Sequence, residues 1–336
     1  MAKKKSEGDG EFKGDIDALI NKKYGDVIRP ASEIIDQNLE VFSTGSPNID
    51  VAIGGGIQEG SVVEVCGLPK VGKTSLCLQS LSNFIAKGRP CFFVDVENRF
   101  DRKNLQIHGL DSSKLKLIRS EEGNILTITK TLDLIDDIIK SEKGCAVVLD
   151  SLSALLSDER AIDGVDGQRR DTRPKTNADW ILGISPYIRI NRATLFVIRH
   201  YSTNTSGNGA KYSPDGGLKV SFRKDVSLHC KWHEKWKVGE KFLGNIMHFA
   251  IDSSNFASPV ENVDTFLRFG YGIDQEKEIV SQAIDYGILE RAGSWITLSY
   301  LEEPIKLQGE EKVIDFLREN PDSYTVLRAK IQELLV

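Results

Sequence analysis

The 336-residue chain has no apolar run long enough to span a bilayer, and its opening residues, Met1 to Gly10, contain no apolar stretch. The first absence excludes a membrane-spanning helix and the second a secretory signal. Paired cysteine spacing is missing too. Cys66, Cys77, Cys91, Cys145 and Cys230 stand singly, four of them among apolar residues. That excludes a disulfide framework and suits buried, reduced thiols. His229, Cys230 and His233 lie close together, but a fourth ligand is lacking and the segment reads as a strand, which argues against a zinc site. Positive charge is not in excess: 44 Lys and Arg against 49 Asp and Glu give a net charge of −5. The molecule as a whole does not attract nucleic acid, so any such contact has to come from local basic patches. No internal repeat stands out. These absences predict a soluble protein of a reducing, cytoplasmic compartment with no membrane partner.

What is present fits a globular chain. Apolar residues make up 40% and charged residues 28%, which is ordinary for a soluble domain. The length allows one sizeable core and a smaller appended domain. Residues 1–13 are polar and read as a disordered leader, and Ile16, Leu19 and Ile20 suit a short amphipathic helix from Asp15 to Tyr24. Irregular chain is expected from there to Val41. Short β-branched runs at 62–66, 91–96, 145–149 and 194–199 then alternate with helical stretches at 74–87, 124–140 and 177–189. That alternation predicts an α/β fold with a mostly parallel, covered sheet. Residues 225–232 and 243–251 read as further strands, an antiparallel extension. After Asp274 the texture changes. Helices are expected over 276–291 and 308–335, with a short strand at Ser294–Ser299 between them. The expected division is a leader and helix over 1–40, a core over 41–274 and a small α+β C-terminal domain over 275–336.

One motif carries chemistry. Gly67, Leu68, Pro69, Lys70, Val71, Gly72, Lys73 and Thr74 match G-x-x-x-x-G-K-S/T. The match sits between an expected strand and an expected helix, as a phosphate-binding loop requires and a chance surface turn does not. The glycines let backbone N–H groups turn toward phosphate oxygens. The helix start, with Ser75 in its first turn, adds the positive end of its dipole. Lys73 supplies a point charge to the terminal phosphates of ATP, and the Thr74 hydroxyl is a ligand for Mg²⁺. Asp150, ending the apolar run Ala146–Leu149, is the expected second Mg²⁺ ligand, although it could instead cap the next helix. Glu97 follows the run Phe92–Val96 and is the candidate base that orients the attacking water, with a structural role as the alternative.

Several segments resemble the RecA recombinase family, including its viral UvsX branch. They are Phe42–Asp50, Phe93–Glu97 with Asp101, Val148–Leu155, Thr265–Ile273, Gly287–Trp295 and Asp315–Pro321. They run in the family's order, and Gly287–Trp295 is far more specific than the phosphate loop. The resemblance implies a RecA-type ATPase core using ATP and Mg²⁺. It also implies that the protein forms helical homo-oligomers, through the N-terminal helix, on single-stranded DNA and pairs that strand with homologous duplex DNA in recombination and repair.

Residue roles follow from the same resemblance. Asp101 would sit near the adenine, and Phe269 would contact nucleotide at the junction between protomers. His200, ending the strand Thr194–Ile198, would sense the terminal phosphate, unless it is an ordinary strand-end histidine. Two loops would face DNA. One spans Glu159 to Thr176 and holds Arg169, Arg170, Arg173 and Lys175. The other spans Tyr201 to Gly217 and holds Ser202, Thr203, Asn208, Lys211, Gly216 and Gly217. Both could equally be solvated loops, since Asp163, Asp166 and Asp171 dilute the charge of the first. Phe222 would pack into the adjacent subunit.

One departure stands out. Ser253 and Asn255 occupy positions where RecA has two lysines that reach the neighbour's ATP. Losing two charges beside a terminal phosphate weakens assembly and hydrolysis, unless Arg199, Lys219 or Arg223 substitutes. It leaves a second reading open, a RecA-like mediator or filament cap that binds ATP and DNA with little hydrolysis.

Overall fold

The computed structural model describes residues 15–35, 38–158, 173–203, 212–215, 223–256 and 262–334. The chain falls into two units, residues 1–39 and 40–336. In the first, α1 (Ile16–Tyr24) starts at Asp15, whose carboxylate accepts from the Asp17 amide at 3.1 Å. Asn21 accepts from the amides of Val27 and Ile28 at 3.0 and 2.8 Å, which ties the following turn to the helix. A second short helix, α2 (Ala31–Ile35), occupies chain that the sequence predicted to be irregular. α1 has no buried residue, and Ile16, Leu19 and Tyr24 are exposed.

The second unit opens with β1 (Val41–Phe42), α3 (Pro47–Ile53) and β2 (Ile57–Gln58), β1 and β2 pairing antiparallel. Strands and helices then alternate: β3 (Val62–Gly67), α4 (Lys73–Ala86), β4 (Cys91–Asp95), α5 (Arg102–Ile107), β5 (Leu115–Arg119), α6 (Ile128–Ser141), β6 (Ala146–Asp150), α7 (Arg173–Ile190) and β7 (Thr194–Thr203). β8 (Tyr212–Pro214) pairs back on β7. β9 (Val226–Val238), β10 (Lys241–Ser254), β11 (Asn262–Arg268) and β12 (Gly272–Ile273) complete the sheet, whose order is β12-β11-β10-β9-β3-β7-β6-β4-β5. From β9 to β5 all neighbours are parallel, and β10 to β12 extend the sheet antiparallel.

Strand alternation divides the core. Val63, Val65, Phe93, Val148, Phe196 and Ile198 face α4, where Leu78, Leu81 and Phe84 are buried. Val62, Val94, Val147, Leu149, Leu195 and Val197 face α6 and α7. Each such side chain contributes about 1.5–3 kcal/mol by burial. The expected α/β fold with a mostly parallel sheet and a small C-terminal part is the one observed.

Several boundaries differ. The helix expected over 276–291 is α8 (Gln275–Asp285), and a three-stranded sheet follows: β13 (Glu290–Ala292), β14 (Trp295–Leu298) and β15 (Ile305–Gln308). The helical stretch beyond it breaks at Asn320 into α9 (Glu310–Glu319) and α10 (Pro321–Glu333), because Pro321 cannot continue a helix and starts a new one instead. These elements close a separate core of Ile279, Ile296, Val313, Leu317 and Leu327. Arg173 and Lys175, expected in a loop, stand in the first turn of α7. Ser202 and Thr203, also expected in a loop, belong to β7, which is four residues longer than its apolar run because β8 supplies a partner.

α8 is anchored through one side chain. Glu278 is fully buried and accepts from Ser46 Oγ at 2.6 Å, from the amides of Asn48 and Phe266 at 3.0 Å, and from the Thr265 hydroxyl.

Candidate functional site

β3 is buried along its whole length and delivers Gly67 to the C-terminal edge of the parallel strands, where open α/β sheets bind ligands. The turn that follows needs left-handed backbone. Gly72 has φ 90°, and a Cβ there would collide with Met247 Sδ. Gly72 caps α4 without a side-chain hydrogen bond, so the first amides of the helix stay open for an anion. Lys73 is buried, with its ammonium donating to the carbonyls of Gly67 at 3.1 Å and Leu68 at 2.7 Å. Burial pushes that ammonium below its ordinary range, against the pull of Asp150.

The next residue meets the end of β6. Thr74 Oγ1 donates to Asp150 Oδ2 at 2.8 Å. Burial raises the Asp150 carboxyl to about 6, against the Thr74 hydrogen bond and with the help of the Glu97 and Asp95 charges. A hydroxyl and a carboxylate oxygen at this separation form a hard oxygen donor pair, and they fit Mg²⁺. Asp95 has a different task. It is buried and accepts from the amides of Arg99 and Phe100 at 3.1 and 2.8 Å, which shapes the turn after β4.

That turn carries Glu97. Its Oε1 lies 3.3 Å from His200 Nε2, and its Oε2 lies 2.7 Å from Arg99. The His200 amide donates to Ser153 Oγ at 2.9 Å, and its Nδ1 is buried without a partner among the described residues. Burial, then the Lys73 charge, hold the imidazole below its usual range, so it is neutral at pH 7. A neutral ring donating from Nε2 to the carboxylate leaves Nδ1 as an acceptor.

These groups share one cavity of about 370 Å³. It brings together Pro69, Lys70, Gly72, Lys73, Thr74 and Ser75 with Glu97, Asp150 and His200. Phe93, Arg99, Phe100, Asn104 and Leu267 also line it and were not anticipated. Asn104 carried one signal, the Asp101-x-x-Asn104 spacing of a capping box, which the structure contains. Asp101 itself is turned to that cap, accepting from the amides of Lys103 and Asn104. Gly67, Leu68 and Val71 form the loop but do not line the cavity. Phe269 is exposed, edge-on to Phe242 with ring centroids 5.1 Å apart.

The remaining expectations divide. Arg169, Arg170, Asn208, Lys211, Gly216, Gly217 and Phe222 lie outside the described residues, as does Lys219. Lys175 is exposed on α7. Ser253 is half-buried, and Asn255 donates to Asp225 at 3.0 Å. Arg199 is fully buried against Glu64, whereas Arg223 is exposed. His229 meets Glu64 and Cys66 rather than Cys230 and His233, the three ligand atoms lying within 4.8 Å of one another. That trio does not suit a metal. Glu64 is engaged by Arg199 and Lys224, and burial pushes the Cys66 thiol far up. All five cysteines are free and buried.

Most of the chain matches known proteins. Residues 15–274 match the RecA N-terminal domain and residues 277–336 the RecA C-terminal domain. The chain belongs to the RecA family. Protein RecA of Thermotoga neapolitana is 27% identical over 314 residues, covering 92% of this chain and 88% of that protein. Protein RecA of Wolinella succinogenes is 27% identical over 318 residues, covering 93% and 88%. Thermotoga maritima Protein RecA is 26% identical over 314 residues. Family membership makes this a RecA-like recombinase, in a family of DNA-dependent ATPases that use ATP with Mg²⁺. Among the described residues no helix is long and apolar enough to cross a membrane.

Proposed function

We propose that this chain is a DNA-dependent ATPase that assembles on single-stranded DNA and promotes homologous pairing and strand exchange. The observation that carries the reading is the shared cavity, in which the phosphate loop, the Thr74–Asp150 pair and the Glu97–His200 pair face one another. The amides opening α4 and the Lys73 ammonium bind the triphosphate. Thr74 and Asp150 hold Mg²⁺, which when bound neutralises charge on the phosphate oxygens. Glu97, beside the His200 imidazole, orients the attacking water and takes its proton. His200 meets the terminal phosphate. Phe100 and Asn104 extend the cavity beyond the phosphate loop, toward the base, and Phe269 is exposed for a neighbouring protomer.

In the same reading residues 1–40 contribute the oligomerisation helix, 41–274 the ATPase core with its DNA-facing segments, and 275–336 the C-terminal domain. The working compartment is the cytoplasm. The DNA-facing set is Arg169, Arg170, Arg173, Lys175, Ser202, Thr203, Asn208, Lys211, Gly216 and Gly217, which contact the backbone without reading sequence. Phe222 packs into the adjacent subunit.

One observation favours a second reading, a mediator or filament cap with little hydrolysis. Asn255 is tied to Asp225 and Arg199 to Glu64, so neither is available to replace the two lysines. ATP turnover with and without single-stranded DNA separates the two. Stimulation by DNA that Lys73→Ala abolishes supports the ATPase. DNA binding with negligible turnover in both states supports the mediator.

A further inference from the structure

We infer that Arg199 is a positioning residue that clamps the β7–β8 hairpin to the strand carrying the phosphate loop, and so couples DNA engagement to the nucleotide cavity. The coupling half rests on the reading above, that the chain beyond β7 engages DNA.

β7 presents consecutive residues to opposite faces of the sheet. His200 points to the nucleotide cavity, where it meets Glu97. Arg199 points to the other face and is fully buried. Its guanidinium fork reaches at least three partners. Nη1 donates to Glu64 Oε1, Nε to the Asp215 carbonyl at 2.5 Å, and Nη2 to the Pro214 carbonyl at 3.1 Å. Pro214 ends the return strand of the hairpin and Asp215 follows it directly. The Asp215 amide donates in turn to the carbonyl of His200 at 2.8 Å. The return strand is thus held by its N–H to one residue of the pair and by its C=O to the other.

The far end of the clamp is equally fixed. Glu64 lies on β3, on the strand that ends in Gly67. It also accepts from Lys224 Nζ at 3.0 Å and from Ser227 Oγ at 2.9 Å. Burial alone would raise its carboxyl, but Arg199 and Lys224 outweigh that and bring it down to about 2. A buried ion pair of this kind is seldom the most stabilising way to fill a sheet interior. What it supplies here is direction, because only a planar five-donor fork can reach one carboxylate and two carbonyls at once. A lysine at 199 keeps the charge and cannot span all three. Displacement of His200 by a terminal phosphate therefore moves the hairpin base along with β7.

Hydrogen exchange at the Asp215 amide tests the clamp. In the wild type a non-hydrolysable ATP analogue slows that exchange, and unchanged exchange overturns the coupling whatever the variants do. Arg199→Lys keeps the affinity for the analogue within about twofold, speeds Asp215 exchange at least about tenfold, and removes most of the stimulation of turnover by single-stranded DNA. The double variant Arg199→Met/Glu64→Met removes both charges together and gives the same result if the lysine variant does not fold. Wild-type exchange rates or full DNA stimulation in a folded variant overturn the inference. A wild type that DNA does not stimulate at all sinks the function proposed above, while the exchange measurement still decides the clamp.

Discussion

Glu97 is a carboxylate with two neighbours of different character. His200 approaches one oxygen at 3.3 Å and the exposed Arg99 the other at 2.7 Å. The imidazole is neutral, and the arginine side chain faces solvent. That combination suits a base that acts on a water next to a triphosphate. Glu97→Gln keeps the shape and loses the proton acceptor. We expect nucleotide affinity to stay within about threefold while turnover falls by about 10² to 10⁴. Equilibrium binding of a fluorescent ATP analogue and phosphate release measure the two quantities. Unaltered turnover removes Glu97 from the mechanism. Asp95, two residues earlier, looks equivalent in sequence but is consumed by the amides of Arg99 and Phe100.

Two elements carry most of the local constraint. The start of α4 depends on Gly72, which is held at φ 90° with Met247 against its Cα. Gly72→Ala adds a strained backbone conformation and a collision together. We expect it to destabilise the protein by about 1–3 kcal/mol, read as a lower urea midpoint, and to weaken nucleotide binding at least tenfold. α8 depends on Glu278. Burial raises this carboxyl to about 7, against the four donors around it. Its ordinary value is 4.5, so between about pH 4.5 and 7 the folded protein holds a proton that the unfolded chain has released. The contribution of this group is therefore largest at acid pH, and about 3 kcal/mol of it is lost as pH rises through 7. In Glu278→Gln nothing titrates, and the amide N–H₂ faces donors. We expect a loss of about 1–3 kcal/mol at pH 5 and a smaller difference between pH 5 and pH 7.5 than in the wild type. Denaturation at the two pH values checks both, and an unchanged pH difference in the variant removes Glu278 as its source.

At the scale of the molecule, every described residue of the nucleotide cavity lies in the unit spanning 40–336, while α1 lies in the other unit with Ile16, Leu19 and Tyr24 exposed. An amphipathic helix with no buried residue is not stabilised by its own unit. On the proposed reading that apolar face is covered by another copy. A chain lacking residues 1–39 is expected to bind ATP as the full chain does and to lose the large ATP-dependent assemblies on single-stranded DNA. Sedimentation with and without nucleotide measures this. Full-size assemblies from the shortened chain would remove the helix from the assembly.

The chain by itself determined what is local. Gly67 to Thr74 is a contiguous motif whose backbone needs and charge are written in eight residues. β3, β4, β6 and β7 are apolar runs that cannot stay in water, and Asp150 and Glu97 follow such runs directly. β5 escaped notice because only Leu115 among its residues is buried, which leaves no apolar run to read. Tertiary structure decided what depends on partners far along the chain. Glu64 and Arg199 are 135 positions apart, and Ser46 and Glu278 are 232 apart. Neither pair has a spacing that announces it. Whether a buried charge is balanced, which of the two cavity-lining carboxylates Asp95 and Glu97 is taken up by backbone amides, and whether a strand runs on into an expected loop are all set by which neighbour the fold supplies. A polar group's energy depends on its burial and its partner together, and only the assembled sheet specifies both.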